Sequence, residues 1–473
     1  MSPGNKAAAR RKMDMGHMIE KPPPPIFPGY LMPIHSQAKR LLRTLTGVAV
    51  AAVTLPGAST AIAATATPDP FYEYTDSTPL SSYAPGTVLK TRTITYRILG
   101  LATPLKATQL LYRSVDVQMR PVANVTTVVK PWCLLCLNKN KVVSYQSFYD
   151  SLNPEDSPSR SIAGGKRLPD LIPGVETALF APFLIQGYTI IIPDTEGPKA
   201  NFAAGPEYGY HTLNSIRAAL KSPELGLPSN TKVAMIGYSG GAIASEWAAE
   251  LAPTYAPDVN QKLIGSAIGG VLVHPDHNLD YIQGSPIWGG VAGMALIGVG
   301  RSFDLNLPQY LSEKGLALHE KMKNQSIVNV LGQYPDLYWK DIVKPEYENR
   351  LKLGAYVDSV NKVIMGTGGT PTTPMFIGQG TGGELEGTKA SPIWGKGDGV
   401  MLAGDVRTLA RQYCAKGVQI EHKEYALSHF TSMAVWLPQA IGWVNDRFRN
   451  KPVPQNCASI QPGNPLDPVV ALP

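Results

Sequence analysis

Lys232-Val-Ala-Met-Ile-Gly237-Tyr238-Ser239-Gly240-Gly241-Ala-Ile-Ala-Ser-Glu-Trp247 is the stretch on which the fold turns. A short apolar run ends in G-x-S-x-G and passes directly into a helical pattern. A serine between a strand and a helix sits on a strained turn, so the residues two positions either side must be small. Its Oγ then projects from the C-terminal edge of a sheet. The N–H of Gly240 points to the same place, at a helix N-terminus that favours developing negative charge. G-x-S-x-G alone arises by chance in glycine-rich chains. The strand before it and the helix after it make Ser239 a candidate nucleophile.

Outward from this turn, short apolar runs read as buried strands: Val125–Val129, Tyr188–Ile192, Val233–Ile236, Gly265–Val273 and Met375–Ile377. Helical patterns lie between them, at Gly209–Leu220, Ala242–Leu251, Val406–Ala415 and Ala434–Arg447. This alternation predicts an α/β fold, a mostly parallel sheet covered on both faces. Thr87–Arg97 alternates more and suits an antiparallel edge strand. Residues 274–370 break the pattern with the apolar run Trp288–Gly300 and helical stretches such as Pro308–Leu331, and read as a helical insertion. The expected layout is an export signal over 1–63, a core over 64–273, a cap or lid over 274–370, the rest of the core over 371–450, and a tail over 451–473.

A serine nucleophile needs a base and an acid, which in this fold follow it in the order Asp/Glu then His. His422 and His429 lie near the C-terminus with candidate acids before them. His429 precedes a helical run and is the candidate base. His422 lies in Val418–Tyr425, which alternates like a strand, and reads as a surface pair with Glu421 or Lys423. Asp398, in Gly-Lys-Gly-Asp-Gly, is the candidate acid. Asp405 opens a helix and reads as its N-cap.

The chain carries Lys+Arg 43 against Asp+Glu 36, a net charge of +7. Eight basic and two acidic residues fall within 1–63, so that segment holds +6 and the body only +1. No basic stripe remains to bind nucleic acid, and 44% hydrophobic against 17% charged residues excludes a disordered chain. Lys39, Arg40 and Arg43 precede an uncharged apolar stretch and Ala61-Ile62-Ala63, an export signal with cleavage near Ala63. The protein is therefore expected to be secreted or periplasmic, with no stable membrane span in its mature part. Residues 1–31 are foreign to such a signal, and initiation at Met32 is expected. Of the four cysteines, Cys133 and Cys136 suit a local bridge or a redox pair, and Cys414–Cys457 would close a C-terminal loop.

Together these stretches resemble the secretory lipase family, the lipase A type of α/β-hydrolase. The resemblance runs from Asp69-Pro-Phe-Tyr72 to Cys457 and includes Leu110-Leu-Tyr-Arg113, Pro193-Asp-Thr-Glu-Gly-Pro198, Gly237-Tyr-Ser-Gly-Gly241, Tyr255-Ala-Pro257 and Tyr413-Cys-Ala-Lys-Gly417. It implies that Asp398, not Asp405, serves His429, and that Cys414 pairs with Cys457. It implies an oxyanion hole of Asp194 and Gly240, and a cap between the late strands. It also implies a lipid or ester substrate, such as acylglycerols at an oil–water interface, with no cofactor. An ionised Asp194 would repel an oxyanion, so a side-chain role for it requires the protonated acid. A short-chain esterase or an acyltransferase would use the same triad. An exported binding protein would keep the fold without the chemistry, and intact Ser239, Asp398 and His429 argue against that.

Other signals fail on context. Gly378-Gln-Gly380-Thr-Gly-Gly383 fits G-x-G-x-x-G, but Gly387, Pro392 and Gly395 forbid the helix that a dinucleotide site needs. His274-Pro-Asp-His277 has the spacing of a metal pair, yet Pro275 argues against an aligning helix; it marks the sheet-to-cap junction instead. His211 reads as a structural histidine on the helix after Asp194. Asn124 and Asn324 head sequons.

Overall fold

Alternation along the strands decides how the sheet is covered. In β6 (Lys232–Tyr238), Val233 and Met235 join one apolar cluster while Ala234 and Ile236 join the other, as a side-chain period of two requires. The computed structural model describes residues 69–131 and 138–473. The expected export signal and Cys133 and Cys136 lie outside them.

Eight further strands join β6: β1 (Val88–Ile98), β2 (Leu101–Val115), β3 (Pro121–Val129), β4 (Lys141–Gln146), β5 (Thr189–Pro193), β7 (Leu263–Gly269), β8 (Met375–Gly380) and β9 (Ile420–Tyr425). Among the described residues they form one sheet in the order β1-β2-β3-β5-β4-β6-β7-β8-β9. The pairs from β5 to β9 are parallel. On one face lie the helices Gly205–Lys221, Gly240–Tyr255 and Ala403–Ala415. On the other lie Leu171–Ile185 and His429–Phe448, which bring Phe180, Phe183, Trp436 and Trp443 into the core. Burying Phe180 and Phe183 stabilises the fold by roughly 1.5–3 kcal/mol each.

The expected edge strand at Thr87–Arg97 is β1, antiparallel to β2. The remaining antiparallel part is larger than expected. Val125–Val129, read among the parallel strands, belongs to β3, which is antiparallel to both β2 and β5. β2 and β4 have no counterpart in the sequence reading, because both are mixed in polarity. Gln109 of β2, for example, is buried by donating to Thr127 Oγ1 at 3.1 Å and to the Ser159 carbonyl at 2.7 Å. The helix Leu171–Ile185 carries Pro173, Gly174 and Pro182, which hide its pattern in the sequence. The stretch Leu168–Ile185 is long and apolar enough to cross a membrane, but its Phe180 and Phe183 pack in the core.

Between β7 and β8 the chain forms helices at Pro275–Ile282, Gly289–Ser302, Glu313–Met322 and Gly354–Asn361. The expected continuous stretch Pro308–Leu331 is broken into a turn at Leu307–Tyr310 and helices at Glu313–Met322 and Ile327–Val330. Trp339 and Tyr356 centre an apolar cluster drawn from these elements, whereas Trp288 and Met294 pack with Leu152, Phe202, Ala203 and Met401 in a cluster shared with the sheet domain.

Candidate active site

Tyr238 ends β6 and Gly240 begins the following helix, leaving Ser239 between them at φ 54° and ψ −123°. A non-glycine residue in this region is strained and must be held by its surroundings. Ser239 N–H donates to the Gly269 carbonyl at 2.9 Å. A Cβ at Gly241 would collide with the Gln146 carbonyl, and one at Gly240 with the Asp150 carboxylate. The glycines thus let the turn approach the end of β4.

His429 opens its helix, where Ser428 and Thr431 hydrogen-bond across the first turn. Its Nδ1 lies 2.7 Å from Asp398 Oδ2, and its backbone N–H donates to the Asp398 carbonyl at 2.7 Å. Asp398 is fully buried, and its Oδ1 accepts the N–H groups of Val400 and Met401 at 3.0 and 2.7 Å. With the proton on Nδ1, as that contact favours, Nε2 carries the lone pair. Burial alone would lower the imidazole pKa. The neighbouring Asp398 carboxylate outweighs this and raises it above its usual value, with Glu386 and Asp150 adding to the effect. His429 packs against Gly270 and faces the Tyr238 ring at 5.1 Å between centroids, so it borders the serine turn.

Glu386 supports this corner and was not singled out in the sequence. Its Oε1 accepts the Phe430 N–H and its Oε2 the Trp288 indole N–H, each at 2.9 Å. Trp288, from the inserted segment, meets the His429 ring edge-on at 5.3 Å. Gly380 answers the G-x-G-x-x-G stretch. A Cβ there would crowd Asp398 and the Leu427 carbonyl, so the glycine lets the loops carrying Asp398 and His429 close over the end of β8.

Asp194 is not brought to this pocket, which corrects its expected place. Its carboxylate accepts Ser159 N–H at 2.9 Å and Ser159 Oγ–H at 2.5 Å, and its own N–H donates to the Val125 carbonyl at 3.0 Å. Burial raises its pKa to about 6, but both of its donor-bearing parts face the interior. Asp150 lies beside Gly240 instead, at the end of β4, and lines the pocket with Ser239 and Gly240. Burial raises its carboxyl pKa to about 7, against the opposing pull of His429. The available signal was the apolar Val142-Val143 followed by Tyr149-Asp150.

The remaining expectations divide. His422 is buried rather than a surface partner, with burial lowering its pKa. Asp405 lies inside the first turn of its helix and is not the N-cap; it sits 3.2 Å from His277 Nδ1 and accepts from Asn464 at 2.7 Å. Pro275 opens a helix instead of preventing one, and His274 and His277 stack at 3.6 Å between ring centroids. They stand at the start of the first helix after β7. Among the described residues no group of three or more His, Cys, Asp or Glu could hold a metal ion. His211 is buried, with Nδ1 2.8 Å from Ser114 Oγ. Asn124 is buried in β3 and donates to Tyr112 Oη and the Asp194 carbonyl. Cys414 and Cys457 form a disulfide.

The pocket at Ser239 continues as an apolar cavity lined by inserted residues including Val291, Leu296, Val299, Leu318, Trp339 and Tyr356. A serine on a strand-to-helix turn, a buried Asp–His pair and a mainly parallel sheet define an α/β-hydrolase. The Secretory lipase family model matches residues 166–456. Lipase 5 of Candida albicans is 31% identical over 412 residues, 83% of this chain and 83% of that protein. A Mycobacterium tuberculosis protein named a probable inactive lipase is 28% identical over 81% of this chain and 83% of its own length. The structure of Candida antarctica lipase A in its closed state aligns with a TM-score of 0.71 at 27% identity, covering 84% of this chain and 89% of that one. The chain belongs to the secretory lipase family. It is a carboxylic ester hydrolase of the lipase type.

Proposed function

We propose that Ser239, His429 and Asp398 hydrolyse acylglycerols and related esters through an acyl-enzyme, with Gly240 and Asp150 stabilising the oxyanion. Ser239 Oγ attacks the ester carbonyl while His429 Nε2 takes its proton. Asp398 holds the ring and balances the charge that forms on it. The carbonyl oxygen becomes an oxyanion facing the Gly240 N–H and the protonated Asp150 carboxyl. His429 then returns its proton to the departing alcohol, and a water molecule repeats the sequence to release the acid. The observation that carries this reading is the meeting of Ser239, Gly240 and Asp150 at the mouth of an apolar cavity, beside the Asp398–His429 pair.

Residues 274–370 act in this reading as a cap whose cavity takes the acyl chain. Export with cleavage near Ala63 would deliver the enzyme to lipid outside the cell. A short-chain esterase would need no apolar lining as extensive as that between Val291 and Tyr356. Hydrolysis of an ester series of increasing acyl length, with and without an emulsified interface, tests the assignment. Turnover should rise with chain length. Ser239→Ala should abolish it apart from a residual rate of ~10³-fold over water from binding and oxyanion contacts. Wild-type turnover in that variant would refute the nucleophile. Equal rates on short and long chains would favour the esterase.

A further inference from the structure

Asp150 holds a backbone conformation that an L residue rarely adopts, with φ 36°. Something must hold it, and the residues on either side of it converge on one buried residue. Glu196 lies in the turn after β5 and is fully buried. Its Oε1 and Oε2 both accept the N–H of Ser151, at 3.0 and 3.2 Å. Its own N–H donates to Tyr149 Oη at 3.0 Å, and Tyr208 Oη–H donates to Oε1 at 3.1 Å. The far side of the same loop is tied to the inserted segment. The Asp150 carbonyl accepts Ile327 N–H at 2.8 Å, and Leu152 N–H donates to the Gln325 carbonyl at 2.9 Å.

We infer that Glu196 is a positioning residue for the oxyanion site: its carboxyl takes the Ser151 N–H and its backbone N–H donates to Tyr149, and together these hold the Asp150 carboxyl against Gly240. The inference rests on the reading of Asp150 as an oxyanion donor. A carboxyl group suits the task because the Ser151 N–H lies within reach of both of its oxygens and Oε1 also takes the Tyr208 hydroxyl. In the amide an NH₂ would take the place of Oε2 and meet the Ser151 N–H donor to donor, which strains one side of the grip. Glu196 makes no contact with the reacting atoms, so its removal should act only through Asp150.

A double-mutant cycle on a short soluble ester reads this directly. Glu196→Gln should lower kcat about tenfold with little change in KM, as expected for a contact realised in the transition state. Asp150→Ala should lower kcat on the order of 10²–10³-fold. In the Asp150→Ala background, Glu196→Gln should change kcat by less than about twofold, because the group it positions is gone. The same loss in both backgrounds would mean that Glu196 merely supports the fold, and would overturn the inference. So would wild-type kcat in the single Glu196→Gln variant. If Asp150→Ala itself keeps wild-type kcat, the oxyanion reading has failed, and the inference falls with it. Tyr149→Phe, which removes the acceptor of the Glu196 N–H and keeps the ring, runs the same cycle if the Gln variant does not fold. Its loss should be smaller and should likewise vanish without Asp150.

Discussion

Asp398 and Asp405 stand seven residues apart in the chain, and their surroundings separate their roles. Asp398 touches the His429 ring, whereas Asp405 ties His277 to Asn464. Asp398→Asn should therefore lower kcat on the order of 10⁴-fold. Asp405→Asn should leave kcat near wild type and lower the melting temperature. Steady-state kinetics and thermal melts on both variants check the ranking, and the reverse order would reassign the acid. The proposed mechanism predicts a pH profile with an acid limb from His429 and an alkaline limb from Asp150. His429 must be neutral to act as base, and its pKa is raised above 6.5, so activity is lost as pH falls through that higher value. Asp150 must be protonated to donate, and its pKa is raised to about 7, so that contribution is lost as pH rises through this range. Asp150→Asn keeps a donor that does not titrate. It should retain substantial kcat and lose the alkaline limb. An unchanged alkaline limb would show that another group sets it. The Ser239 turn and the meeting of His429 with Asp398 could be read from chain order and loop context, but the different surroundings of Asp150 and Asp194 could not. Both aspartates follow strands, and only the pairing of β4 with β6 puts the first one against Gly240.

At the scale of elements, the inserted helix Gly289–Ser302 shows why an apolar run need not be a core helix or a membrane span. Its Val291, Leu296 and Val299 line the cavity above Ser239, while Met294 is buried in the cluster that joins the insertion to Phe202 and Met401. Leu296→Asp puts a charge into the cavity wall, where desolvation makes it costly. It should impair hydrolysis of long-chain esters more than short-chain ones, measured as kcat/KM across a chain-length series. Equal loss on both would indicate a folding defect. The helix Leu171–Ile185 teaches the opposite lesson. Pro173 and Gly174 at its start and Pro182 within it weaken the local signal. The contacts of Leu179, Phe180 and Phe183 with the sheet override that weakness.

Over the whole molecule, the tail beyond residue 450 has more structure than its composition suggests. The Cys414–Cys457 bond joins residues 43 apart in the chain. Past it, the Ile460 carbonyl accepts from Arg411 at 2.7 Å and Asn464 donates to Asp405 at 2.7 Å. Val469 exchanges hydrogen bonds with Asn361, and Leu472 N–H donates to the Leu351 carbonyl at 2.8 Å. The tail therefore runs from the sheet domain onto the inserted helices. Replacing both cysteines by alanine should cost about 4 kcal/mol on the loop-entropy estimate. Urea unfolding of the oxidised wild type and the double variant measures it. No change in midpoint would mean that the tail contacts alone hold the end of the chain.

Local patterns sufficed wherever a feature depends on neighbouring residues. The strand–turn–helix around Ser239 needs small residues at fixed offsets. Strands β5, β6, β7 and β8 show as apolar runs because both of their faces are covered, and His429 stands out by its place in chain order. Features that depend on residues far apart needed the tertiary structure. β2 and β4 hide in mixed sequence because their polar side chains are satisfied by partners elsewhere, as Gln109 is by Thr127 and Ser159. Asp150 and Asp194 are the same residue type, each just past the end of a strand. Their difference lies in what surrounds them: Ser159 and the Val125 carbonyl enclose one, and Gly240 and Glu196 frame the loop of the other. Burial and hydrogen bonding decide which carboxyl can face a substrate, and both are set only when distant segments pack.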